Sequence, residues 1–264
     1  MKIQACNLSL YSKMYSFKSS VSNSSPKILQ DKLPNQKLYA DCGNPLVDWN
    51  KRDELQKEYN DKLLEACFDE NKKIDPRLVD YLDNTEFEIE DSNGKVRKMT
   101  VGEALKDSIR EIVPHRGSLY HATESTDIAR KIIKEGFDPL KISRTKIGPG
   151  IYCTTSEGHA LEYSRAVLSY DYEGNCAYVQ REFFDRVKCH NVISSICDYV
   201  GIDTSSYPLG SDAYMVAGKM LNEYVRNYLV NELGVDMAKG QTSYSEFSTV
   251  IFNLDKVSNL KLKD

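Results

Sequence analysis

Apolar residues at Leu55, Tyr59, Leu63 and Ala66 recur every three to four positions among Lys and Glu, a spacing that predicts an amphipathic helix over residues 48–70. Around residues 87–101 the period shortens to two, with Asn93-Gly94 between the alternating segments. Both residues tolerate positive φ, so the stretch predicts a tight β-hairpin. Thr100 and Glu103 then stand at capping-box spacing and open a helix through Ala104, Leu105 and Ile109. That helix is expected to end at Val113-Pro114, because a proline disfavours helical geometry in the residue before it.

Beyond Pro114 the pattern becomes short strands alternating with helices. Residues 119–121 and 150–153 predict strands, residues 125–135 a helix stopped by Gly136, and residues 157–168 a second helix. Strand-like alternation covers residues 176–184, and Ser211 opens a long helix through Met215, Met220, Leu221, Tyr224, Tyr228 and Leu233, closed by Gly234. The last strand is expected at residues 249–252, with residues 168–175 and 202–210 in loops. Residues 1–40 are rich in Ser, Lys and Asn and lack a sustained apolar period, which predicts a flexible tail. The chain therefore divides into a tail (1–40), a helical N-terminal region with one hairpin (41–116) and a site-bearing domain (117–264).

Composition narrows the function classes. Hydrophobic residues make up 41% and charged residues 28%, so a core of ordinary size can form. A net charge of -4 leaves no broad basic field for nucleic acid. The seven cysteines are scattered and never in a Cys-x-x-Cys pair, which argues for reduced thiols and against a zinc site or a disulfide framework. No apolar run is long enough for a membrane span, and the polar N-terminus does not fit the core of a secretory signal. Action in a cytosol is the expectation. Effectors that bacteria deliver through specialised secretion often begin with such a Ser-rich tail, and a terminus without any role has the same composition.

Candidate chemistry sits in two segments. Leu119-Tyr120-His121-Ala122-Thr123 precedes Gly150-Ile151-Tyr152-Cys153-Thr154, the second followed by Ala160-Leu161-Glu162-Tyr163, with the turn Glu135-Gly136-Phe137 between them. Each motif alone is weak, since His and Tyr on strands are commonly packing groups. The ordered set resembles the diphtheria-toxin and poly(ADP-ribose) polymerase-like branch of the ADP-ribosyltransferases, the His-Tyr-Glu branch. The resemblance spans residues 119–262 and is strongest over 119–164.

This resemblance implies an α+β fold in which split, mostly antiparallel sheets enclose an NAD cleft, and a monomeric enzyme that uses NAD as substrate. The implied reaction is mono-ADP-ribosylation of a protein acceptor; NAD hydrolysis, RNA 2'-phosphotransfer and an inactive fold that binds NAD or a partner are the alternatives. Cleaving the nicotinamide–ribose bond generates a sugar cation, so a site must hold both riboses and the leaving ring and must stabilise positive charge. By the resemblance, His121 would bond a ribose hydroxyl, the backbone at Ala122 and Thr123 would meet the nicotinamide amide, and Tyr163 would stack on the nicotinamide ring. Tyr152 would support that ring from the opposite wall, or the adjoining ribose, and Arg144 and Lys146 would meet the pyrophosphate. The third motif position falls at Ser248, where the family has a glutamate. Glu246 stands two residues earlier, on the same face of an extended strand, and is taken as the catalytic carboxylate. Asp212 and Glu223 on the long helix are the next candidates. Two further departures are Ala122, where the family has Gly, and Ala160, where many polymerases have a Ser that bonds the carboxamide.

Overall fold

Three N-terminal helices start on side-chain caps. In the computed structural model, which describes residues 32–33, 46, 48–139, 146–180, 182–202, 209–241 and 247–263, the Asp48 carboxylate accepts from the backbone of Asn50 and Lys51 at the start of α1 (Trp49–Cys67). Asp75 caps α2 (Pro76–Asn84), whose first residue is a proline with no N–H to satisfy. Thr100 and Glu103 form the expected capping box at α3 (Val101–Asp107). Between α2 and α3, β1 (Phe87–Glu90) and β2 (Val96–Met99) pair antiparallel across the Asn93-Gly94 turn, where Gly94 takes φ 78°. Tyr59, Leu63, Leu78, Leu82 and Leu105 from these elements are buried in one core with Val192, Ile196, Val216 and Leu221. That core joins α1–α3 to α6 (His190–Val200) and α7 (Leu209–Asn227).

The expected helix ending at Pro114 is shorter than its pattern implied. It stops at Ser108, and β3 (Ile109–Thr123) begins at once, so the boundary drawn at 116/117 falls inside a strand. The β-branched Ile109, Ile112 and Val113 suit the strand, which pairs over its whole length with β5 (Ala166–Val179). β3 ends the sheet path, and Pro114 is tolerated there because a side of the strand needs no donor. α4 (Thr126–Glu135) lies where expected, capped by Ser125 and ended by Gly136 at φ 79°.

The second expected helix also ends early. α5 (Glu157–Tyr163) gives way to β5, and the residues expected to form a loop at 168–175 are the middle of that strand. Residues 166–170 are all buried, so both faces of β5 are covered there and no alternation marks it. β5 ends at Val179, short of residue 184. α7 passes into a π-turn, Tyr228–Glu232, before Gly234.

The remaining strands are β4 (Ile151–Cys153), β6 (Met237–Gln241), β7 (Phe247–Ile251) and β8 (Val257–Leu262), of which β6 and β8 were not anticipated from sequence. Among the described residues the strands follow the path β3-β5-β6-β7-β4, antiparallel except between β5 and β6. One edge of β5 forks: residues 168–172 pair with β8 and residues 176–178 with β6. Tyr172 holds the fork, its hydroxyl lying 2.8 Å from Asp236 O and 3.0 Å from Asn253 O. The fold is thus α+β with a mixed sheet. No described helix is long and apolar enough to cross a membrane.

Candidate functional site

The two motif segments meet at a seam. Tyr120 and Thr154 exchange backbone hydrogen bonds of 2.8 and 2.9 Å, which brings β4 back against the end of β3 and returns the strand path to its start. His121 then reaches across, its Nδ1 2.6 Å from the carbonyl oxygen of Tyr152. A carbonyl only accepts, so Nδ1 carries the proton and Nε2 is left with a lone pair. Burial pushes the imidazole below its ordinary value, opposed in part by the Tyr152 carbonyl, so the ring is neutral at pH 7. Phe137, from the turn after α4, packs edge-on against it at 5.5 Å between centroids and in turn meets Tyr170 at 5.7 Å. His121 is a fixed hydrogen-bond acceptor, which is what recognition of a sugar hydroxyl needs.

Tyr152 does not stand beside His121 in the same way. Its backbone serves the histidine, but its side chain shares a face with Val250, its partner on β7, and packs on the large helical core. The phenol oxygen accepts from Ile147 N at 2.7 Å and Gly148 N at 3.3 Å and donates to Gly148 O at 3.1 Å. All its hydrogen-bonding capacity goes to the segment before β4. The expected role as a wall for the nicotinamide ring is therefore corrected to an anchor for residues 147–148. Gly150 has its own structural reason: a Cβ there would lie 2.3 Å from Ile251 O and 2.4 Å from Val250 Cγ2. Only glycine lets β4 approach β7 this closely.

Tyr163 keeps its freedom. It ends α5, which packs against β3 and β5, and is 64% exposed with its ring tilted over His159 at 5.4 Å. Ala160 is buried, so the position that carries a serine in many polymerases packs inward here. Ala122 is half-buried opposite Val167. Thr123 is buried, and its hydroxyl lies 2.9 Å from Ser125 O and 3.1 Å from Ala166 O. That side chain ties β3 to β5 and is not available to a ligand. Lys146 is exposed.

Arg144 and Glu246 lie outside the described residues. Ser248 is half-buried and, by alternation along β7, shares the face of Val250 and Tyr152 rather than that of His121. Glu223 is corrected as a reserve acid: it is buried in the helical core and paired with Arg226.

Register also aligns residues that sequence reasoning missed. His121 faces Cys153 beside the seam, Cys153 pairs with Thr249, and Thr249 pairs with Lys239, so four side chains form one row across β3, β4, β7 and β6. A lysine between the small residues Ala238 and Gly240, just after the buried Met237, was the available signal. Cys153 is no nucleophile at neutral pH, since burial raises its thiol to about 12. A separate groove of about 440 Å³, lined by Pro114, His115, Arg116, Glu173, Asn175 and Asp236, lies about 17 Å from His121 along an extended strand. It is polar, with both signs of charge, and does not include the motif residues.

No protein-family model matches the chain, and no curated protein matches it either.

Proposed function

We propose that residues 117–264 form an NAD-dependent mono-ADP-ribosyltransferase acting on a protein acceptor. The observation that carries the reading is His121: a neutral imidazole, its Nδ1 tied to the β4 backbone and its ring braced by Phe137, which leaves Nε2 to accept a ribose hydroxyl. Exposed Tyr163, on a helix packed against the same strand, offers an aromatic face for the nicotinamide ring at low ordering cost. In the reaction the bond between ribose C1' and the nicotinamide nitrogen breaks, the electron pair leaves with nicotinamide, and an acceptor atom bonds to C1'. Glu246, outside the described residues, would supply the negative charge that stabilises the sugar cation, a role assigned from the sequence. That role requires a bulge or a shorter strand to break its alternation with Ser248.

A second reading, a fold that binds NAD or a partner without turnover, is favoured by one observation. Ser248 holds the third motif position on the face away from His121. One experiment separates the two. The full chain is incubated with NAD and cell lysate, and free nicotinamide and ADP-ribose on protein are measured by mass spectrometry. Transfer that falls about a hundredfold in Glu246→Gln and less than tenfold in Ser248→Ala supports the transferase. Nicotinamide release without protein labelling makes the activity a hydrolase, and NAD binding without release supports the inactive reading. Failure to bind NAD refutes the proposal.

A further inference from the structure

β6 is paired on both edges, with β5 and with β7, so Lys239 is not a charge placed to guard a sheet edge. Met237 and Ala238 before it are fully buried and Gly240 after it is buried, yet Lys239 is only half-buried and extends from the face that carries Thr249, Cys153 and His121. Among the described residues it has no ion-pair or hydrogen-bond partner, whereas Arg226 and Lys263 each have a carboxylate. A lysine ammonium with no described carboxylate on it is free to pair with a bound anion.

The nearest charged group in its own cross-strand row is the exposed Glu111, two strands away through Tyr178. His115 is held below its ordinary value by burial and by the Lys239 charge. Burial raises the Cys153 and Cys176 thiols, although the same charge acts the other way. Glu111 is two strand spacings away and exposed, beyond direct ion-pair distance, so no described carboxylate contacts the Lys239 ammonium. His121, three strand spacings away along the row, or about 14 Å of arc, offers the lone pair of its Nε2. A hydroxyl acceptor and an unpaired ammonium on one face match a ligand that carries a sugar and a phosphate.

We propose that Lys239 is the phosphate-binding residue of the His121 face, holding an anionic phosphate group of a nucleotide ligand. As a statement about NAD this rests on the transferase reading above; as a statement about an anion site it does not. The ammonium donates to phosphate oxygens, while buried Thr249 and half-buried Cys153, the latter packed on the apolar cluster around Tyr170, lie between the two anchors in the row.

The test uses the full chain with inorganic pyrophosphate and NAD as separate probes, titrated by calorimetry against wild type, Lys239→Met and Lys239→Arg. Wild type is expected to bind pyrophosphate in a salt-dependent manner. Lys239→Met should weaken it tenfold or more, and Lys239→Arg should restore most of the loss. Amide resonances of Cys153, Thr249 and Lys239 should shift on adding pyrophosphate to the wild type, a readout that needs no variant to fold. Equal pyrophosphate affinity in wild type and a folded Lys239→Met, or no shift at those amides, overturns the proposal. NAD affinity unchanged by Lys239→Met overturns it while leaving the NAD reading intact. Pyrophosphate binding through Lys239 without NAD binding supports the anion site and refutes the NAD reading.

Discussion

Replacing Tyr152 by Phe removes one oxygen and tests whether that residue serves the fold or a ligand. The oxygen accepts from Ile147 N at 2.7 Å and Gly148 N at 3.3 Å and donates to Gly148 O at 3.1 Å. Ile147 is fully buried and Gly148 is buried, so little water can replace the lost partner. Each buried backbone group left without a partner costs about 1–3 kcal/mol. The 3.3 Å bond is long and contributes least, which sets the expected loss at about 2–3 kcal/mol. For a chain of this size that lowers the melting temperature by roughly 4–10 °C. Urea denaturation followed by circular dichroism measures the first figure and a thermal melt the second. Under the transferase reading, NAD affinity should change less than about threefold, because the hydroxyl faces away from His121. A variant as stable as wild type, within about 0.5 kcal/mol, but with weakened NAD binding would refute the reasoning and return Tyr152 to the ligand.

Three further outcomes follow from the same geometry. Gly150→Ala should cost at least about 3 kcal/mol in chemical denaturation, since its methyl group would collide with the carbonyl of Ile251; an unchanged midpoint would show that β4 and β7 are not paired in this register. Tyr163→Ala should leave stability within about 0.5 kcal/mol and weaken NAD binding by about 1–2 kcal/mol by calorimetry, while a large stability loss would place the ring in the core. For His121, nitrogen-detected NMR should show the Nδ1–H tautomer titrating below 6.5. Its folded-state value is depressed, so its stabilising contribution is fully present above the unfolded value and is lost as pH falls through the lower folded value. His121→Gln should flatten that part of the stability profile, and a wild-type midpoint above 6.5 would contradict the burial argument.

Local chemistry was legible along the chain wherever a few neighbouring residues decide the outcome. Thr100 and Glu103 bond each other's backbone, Ser125 and Gly136 bound α4, and Asn93-Gly94 makes the turn between β1 and β2, each within a span of a few residues. The order of His121, Phe137, Tyr152 and Tyr163 pointed to one site; His121 meets the Tyr152 backbone and the Phe137 ring, while the Tyr152 side chain turns the other way. What pairing over distance decides was not legible. Residues 109–113 and 166–168 continue the apolar pattern of the helices before them, and only the long β3–β5 ladder, in which each strand offers hydrogen-bond partners to the other, makes both of them strands. The face on which a strand residue lands depends on register against a neighbour far along the chain. That register turns the Tyr152 side chain into the helical core and sets Ser248 with it. It also brings Lys239 into one row with His121, from strands more than a hundred residues apart, because cross-strand partners share a face whatever their distance in sequence.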